Sequence, residues 1–280
     1  MDSIPSLVSG SYIPVVKHGI VGSPVSAGGV PQIVSGDNLK AYWRFNESSG
    51  NIENVAGTVA NNDTIGSDAD LTNSNITLGQ TGSPSNFGTN ALFAPASSSH
   101  GIAPSGTESN FDFFFDGSSW SVNFWYKSTA SFTSNQHVID THGAQGEGSY
   151  GFDIRTAEYP GESDNKLRGV LADNSELIDF KTSDDFVPDS TNFYMYTVTW
   201  DDSTMTWWRN AGNKETKSGS SGSVGGTSDD VMVVGAYSNN LTSGNLKGNL
   251  CELSIWNRVL SDDDITELYN SGDGLVLNDQ

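Results

Sequence analysis

From Asn38 onward the chain reads as short runs of alternating apolar and polar residues, separated by clusters of Gly, Asn, Asp, Ser and Thr. A period of two marks strands covered on at least one face. The runs predict strands near residues 39–46, 89–104, 119–128, 136–142, 149–156, 166–173, 193–201, 204–210, 230–238 and 246–258. Residues 48–88 form the longest turn-rich run, and residues 218–228, SGSSGSVGGTS, have loop composition. Strands at this density predict an all-β fold, an antiparallel two-sheet jelly-roll sandwich. Trp120, Phe124, Trp125, Phe152, Phe193, Tyr196, Trp200, Trp207 and Trp256 are spread over several of these strands and supply its core.

The segment from Leu246 to Gly272 carries the sharpest signal. Strict alternation would place Leu250, Glu252, Ser254 and Trp256 on one face, and Cys251, Leu253 and Ile255 on the other. Ser261 is then a helix N-cap, and Asp262, Asp263 and Asp264 suit the positive end of the helix dipole. Ile265, Leu268 and Tyr269 follow at helical spacing, and Gly272 is placed to close the helix. The chain is thus expected to end in one long strand and one short helix. Cys251, the single cysteine, excludes an intrachain disulfide framework and reads as a buried, inert thiol.

This closing segment resembles that of the laminin-G-like, concanavalin A-like jelly-roll family. The matches are Gly248, Glu252, Leu253, Ile255, Trp256, Asn257, Arg258, Leu260, Ser261, Ile265, Leu268 and Tyr269. Two further segments agree: LKAYWRFNESSG from Leu39 to Gly50 with the family's opening, and YTVTWDDSTMTWWRNAG from Tyr196 to Gly212 with its Asn-Gly hairpin. The resemblance covers about residues 38–272 and implies the fold, with the closing strand beside the opening one. It also implies Ca²⁺ at a loop edge, where Asn46, Glu47, Glu53, Asn54 and Glu252 would be the oxygen donors. Asn46 and Cys251 stand where the family commonly has Asp, and the alternative is that these residues form a hydrogen-bonded turn tying the two chain ends together. Trp207 and Trp208 are adjacent on one strand and must face opposite ways. Family parity makes Trp208 the outward one, free to stack on a sugar, with Asn210 beside it and Tyr237 and Asn239 extending the surface. The alternative is that both tryptophans are structural.

Charge narrows the partners. Thirteen Lys and Arg against 34 Asp and Glu give a formal net charge of −21, which argues against a nucleic-acid partner held through phosphates. No window has the apolar length of a membrane span, and the N-terminus lacks the basic and continuous apolar regions of a signal peptide. The first 36 residues differ from the rest: they hold four of the nine prolines, and their only formal charges are Asp2 and Lys17. They are rich in β-branched residues yet too short to bury them. Residues 1–36 are therefore expected to be an extended arm docking on another assembly protein, with the jelly-roll domain at 37–280; packing back on their own sandwich is the other reading.

Catalysis finds little support. The Glu-x-Asp-x-Glu run of glycoside hydrolases on related jelly rolls is absent, and so are a nucleophile elbow and a phosphate loop. His137, Asp140 and His142 form the one His/carboxylate cluster and read as a polar strand end. The Asn-x-Ser/Thr triplets at Asn46, Asn62, Asn75 and Asn240 are expected by chance in so Asn- and Ser-rich a chain. The expectation is a non-enzymatic virion structural or decoration protein displaying a lectin-like domain at the virion surface and binding host glycans, with which a homo-oligomer is compatible. The alternative is a carbohydrate-binding or adhesion module of a bacterial surface or secreted protein, at the cell surface or outside it.

Overall fold

A computed structural model describes residues 34, 36–59, 64–94, 96, 98–114, 116–129, 135–141, 151–156, 166–172, 176–183, 186, 188–220 and 230–277. The chain divides into two units, Met1–Gln32 and Ile33–Gln280, and only the second contains described residues. The expected arm therefore lies outside the described residues, apart from Val34 and Gly36. Val34 is fully buried in the second unit.

The alternating runs become two antiparallel sheets. The first, of eight strands, contains β1 (Leu39–Trp43), β3 (Thr77–Gln80), β4 (Asn90–Phe93), β6 (Trp120–Ser128), β11 (Tyr194–Trp200), β12 (Thr204–Arg209), β13 (Asn213–Ser218) and β15 (Gly248–Trp256). Its order is β13-β12-β11-β6-β15-β4-β3. β1 lies along the same edge of β15 as β4, pairing with its C-terminal half while β4 takes the N-terminal half. The second sheet has seven strands: β2 (Thr72–Ser74), β5 (His100–Ile102), β7 (His137–Asp140), β8 (Gly151–Thr156), β9 (Leu167–Ala172), β10 (Glu176–Lys181) and β14 (Val233–Val234), ordered β10-β9-β8-β7-β14-β5-β2.

Some strands differ from those expected. The run expected over 89–104 splits into β4 and β5, which belong to different sheets. β2 and β3 hide in the polar run 48–88, and β13 is a wholly polar edge strand. Lys214 and Lys217 on that edge discourage pairing with another chain.

One residue overturns the expected facing of β15. Glu252 has φ 51°, a left-handed conformation, and the ladder with β6 shifts register between Cys251 and Ser254. This β-bulge flips the alternation. Leu250 therefore joins Leu253 and Ile255 in the core between the sheets, while Cys251 and Trp256 face outward into a second core. At the head of the strand, a side chain on Gly248 would collide with the Lys127 carbonyl and the Tyr126 ring, so only glycine fits.

The second core is closed by α1 (Asp262–Tyr269), which packs Ile265 and Leu268 against Leu39, Tyr42, Trp125 and Cys251. Ser261 caps it as expected: its Oγ accepts from the Asp264 amide, and the Asp264 carboxylate accepts from the Ser261 amide. The helix ends earlier than expected, at Asn270 (φ 45°) rather than Gly272. Arg258 Nη1 holds Asp264 Oδ2 at 2.8 Å, and the Asn257 amide donates to the Asn38 carbonyl at 2.8 Å. Burial alone would raise the Asp264 pKa, yet the Arg258 and Ser261 hydrogen bonds hold it below the usual range. The Asn257–Arg258 pair thus ties the residue just before β1 to the first turn of α1.

Candidate functional site

The surface expected to stack on a sugar is not free. Trp207 points into the inter-sheet core and Trp208 points the other way, as strand parity requires. Trp208 is nevertheless only 5% exposed, because the second core covers that face. Lys214 Nζ sits 4.7 Å from the centre of its ring and reaches Asp262 of the helix at 3.2 Å. Asn210, left-handed at φ 54°, uses its amide oxygen to accept from the Met195 amide at 3.0 Å, so it shapes the hairpin. Tyr237 stacks on His137 with ring centres 5.2 Å apart, and Asn239 is exposed in the turn after β14, which belongs to the opposite sheet from Trp208.

Of the five expected calcium ligands, Asn54, Glu252 and one oxygen of Glu47 have other partners. Asn54 Oδ1 accepts from the Tyr42 amide at 2.8 Å and the Ala56 amide at 3.1 Å, while its Nδ2 donates to the Gly66 carbonyl at 2.9 Å. The Glu252 carboxylate accepts from the Tyr42 hydroxyl and, at 3.2 Å, from Arg44 Nε. Glu47 Oε1 accepts from the Glu53 amide at 3.1 Å, and Asn46 is exposed. A guanidinium therefore occupies the position beside Glu252 that a cation would need. Among the described residues no three His, Cys, Asp or Glu side chains converge as metal ligands. Glu252 ties the closing strand to the opening one, and Asn54 ties the opening strand to the loop that follows it, which accords with the alternative raised from the sequence.

His137 and Asp140 do meet, with Nδ1 2.9 Å from Oδ2, while His142 lies outside the described residues. The Ser238 amide and hydroxyl both donate to Asp140 at 3.3 Å. Both His137 and Asp140 are buried, so the cluster pins the turn after β14.

Two open clefts lie among the described residues. The first, about 360 Å³, is walled by Lys40 at the head of β1, Thr64 and Ile65, and Asn257 just past β15. Its other wall is the 3₁₀ stretch Glu108–Phe114, where Ser109, Asn110, Asp112 and Phe113 line it, together with Asp116 beyond. Phe111 and Phe113 are buried in the core, so Asn110 and Asp112 alternate outward. The Ile65 amide donates to the Lys40 carbonyl at 3.0 Å, and Asn110 Nδ2 lies 3.5 Å from Asp68 Oδ2, which braces the walls. Carboxylates that accept, amides and an ammonium that donate, and an apolar floor from Ile65 and Phe113 form a set suited to a polyhydroxylated ligand. The strand pattern carried no hint of this cleft; the Asn-Phe-Asp-Phe alternation was the one available signal. The second cleft, about 490 Å³ and more open, lies between Ser48–Gly50 and the segment from β2 to β3, and hydroxyl and amide groups line it.

Comparison with known proteins follows this geometry. A family model described as the concanavalin A-like lectin/glucanases superfamily matches residues 96–266, more than half of the chain. Sequence comparison with curated proteins gives no match. Among solved structures, a structure of botulinum neurotoxin type C, a toxin that depends on two ganglioside molecules to enter cells, superposes with TM-score 0.55 at 15% identity, over 84% of this chain and 52% of that one. The binding domain of botulinum neurotoxin DC in complex with rat synaptotagmin II gives 0.55 at 15% identity over 85% and 52%. The same domain in complex with SialylT gives 0.52 at 16% identity over 84% and 52%. This chain therefore spans about half the length of these neighbours, and at such identities the likeness is one of fold.

Proposed function

The chain belongs to the concanavalin A-like lectin/glucanase superfamily, and from that premise we propose that it is a non-enzymatic, lectin-like carbohydrate-binding domain whose ligand sits in the Lys40–Asn110–Asp112–Asn257 cleft. The observation that carries this reading is the cleft itself, an open concave site whose outward side chains are acceptors and donors over an apolar floor. The glycan-binding neighbours support the class of ligand, and the acidic charge of −21 supports a partner other than a polyanion. The finer reading is display on the outside of an assembled particle, a virion, with the net-neutral, β-branched N-terminal residues anchoring the domain to other assembly proteins.

A glycan array on the full chain tests the binding reading. Specific binding that is lost in Asp112→Ala, with the melting temperature retained, supports it; absence of binding to any glycan sinks it. Removal of residues 1–32 tests the anchoring reading. It should leave the melting temperature of the sandwich unchanged while abolishing incorporation into the particle, and an unfolded truncation product would refute it.

A further inference from the structure

The charge of the first cleft limits which glycans it can take, provided that this cleft is the binding site proposed above. Its lining holds two acidic side chains, Asp112 and Asp116, and one cationic side chain, Lys40; the other lining residues are neutral. More acid stands behind the walls. Asp68 backs Asn110, and Glu108 heads the 3₁₀ stretch, where its Oε1 accepts from the Gly106 amide at 3.1 Å. The cation next to Asn257 in the chain, Arg258, is already engaged: its guanidinium holds both Asp264 oxygens, at 2.8 and 3.4 Å.

The acidic wall is anchored from beneath. The Phe114 ring packs against Trp120 and Phe152, with ring centres 5.1 and 4.5 Å away, and Trp120 Nε1 donates to the Phe114 carbonyl at 3.0 Å. Just beyond, Asp116 Oδ1 accepts from the Ser118 amide at 2.7 Å. An entering ligand therefore meets this charge pattern on a firmly held backbone.

We propose that the cleft selects uncharged glycans and rejects those that carry a carboxylate or a sulfate, with Asp112 and Asp116 setting the preference. Hydroxyl groups suit the site, because its carboxylates accept and its amides both donate and accept. A ligand carboxylate would call for a cationic fork of donors such as an arginine supplies. The lining offers it Lys40 alone, against two like charges. Like charges brought together across a binding surface exclude the wrong partner more than they weaken the right one. The net charge of −21 adds repulsion at longer range. One excess charge facing another near a protein surface amounts to about tenfold in affinity. Salt shortens the reach of that repulsion, so the preference should strengthen as ionic strength falls.

Calorimetric titration of the full chain with the best neutral glycan from an array, and with the same glycan bearing a terminal sialic acid, tests this. The neutral form should bind about tenfold more tightly at physiological ionic strength, and the ratio should grow at about 0.01 M salt. Asp116→Asn should lower the ratio severalfold and Lys40→Gln should raise it, whatever either change does to the affinity for the neutral form. A purely structural role for these side chains would move both affinities together. Equal or tighter binding of the sialylated form, or a ratio that neither salt nor the variants move, overturns the preference while the cleft reading stands on the loss of binding in Asp112→Ala. Neutral-glycan binding that survives Asp112→Ala takes the ligand out of this cleft and overturns both readings, as does absence of binding to any glycan. Should a variant fail to fold, the salt dependence of the wild-type ratio decides the matter.

Discussion

The closing strand with its helix and the cleft beside Lys40 meet within one residue of each other, at Trp256 and Asn257, yet they are built on opposite terms. In the first, nearly every family-matching residue has an architectural partner. Gly248 lets β15 approach β6, Arg258 holds Asp264, Ser261 caps α1, and Leu253 and Ile255 fill the inter-sheet core. In the cleft, Asn257 is the one lining residue that belongs to the matched closing motif, and its amide also serves the architecture by donating to Asn38. Membership of the superfamily is thus written in residues that hold the sandwich together, while the cleft proposed for recognition is lined mostly by residues outside the three matching segments. This is the physical reason a shared fold carries unrelated activities.

The comparison breaks if substitutions in the two regions behave alike. The largest effect is expected at Trp208. Because the ring is buried in the second core under Lys214 and near α1, Trp208→Ala should cost about 3–5 kcal/mol by chemical denaturation. A loss under about 1 kcal/mol would return Trp208 to the surface and reopen the stacking role expected of it. Ile255→Ala, in the inter-sheet core, should cost roughly 2–5 kcal/mol, depending on how far the site collapses. Ser261→Ala removes a cap whose loss costs about 0.5–2 kcal/mol, and the helix should detach before the sandwich unfolds. Hydrogen exchange that speeds up equally in α1 and in β6 would contradict that order.

Much of the fold was legible because strands announce themselves by period and helices by their caps. Ser261, the three following aspartates and the Ile265–Leu268–Tyr269 spacing sufficed for α1, and the alternation in β6, β11 and β12 sufficed for the first sheet. The facing of β15 was not legible. A bulge shifts the period by one, and nothing in a period-two pattern marks Glu252 as left-handed. The candidate site was least legible. Strand parity turned Trp208 outward correctly, yet parity says nothing of a helix 54 residues later that covers the face, from Trp208 to Asp262. The expected calcium donors show a related gap: sequence shows five oxygen-bearing residues but not that Arg44, Tyr42 and backbone amides bond to three of them, Asn54, Glu47 and Glu252.

The smallest effect on stability, and the one that sharpens the comparison most, is expected at Asn110. Its backbone amide donates to the Thr107 carbonyl, a bond that survives any side-chain change, and its side chain makes one long contact, 3.5 Å, with Asp68. Asn110→Ala should therefore shift stability by no more than about 0.5 kcal/mol, the ordinary range for surface substitutions. If the cleft recognises hydroxyl groups, the same change removes both a donor and an acceptor from the binding surface and leaves the ligand hydroxyls unpaired, which weakens binding by about 1–3 kcal/mol, or roughly five- to hundredfold. Calorimetric titration with the best glycan from an array measures it. Stability retained with affinity lost would separate recognition from architecture within this one corner of the sandwich. Unchanged affinity would move the ligand elsewhere, with the Ser48–Gly50 cleft as the next surface to probe by Asn73→Ala, whose side chain there holds the Gly50 carbonyl.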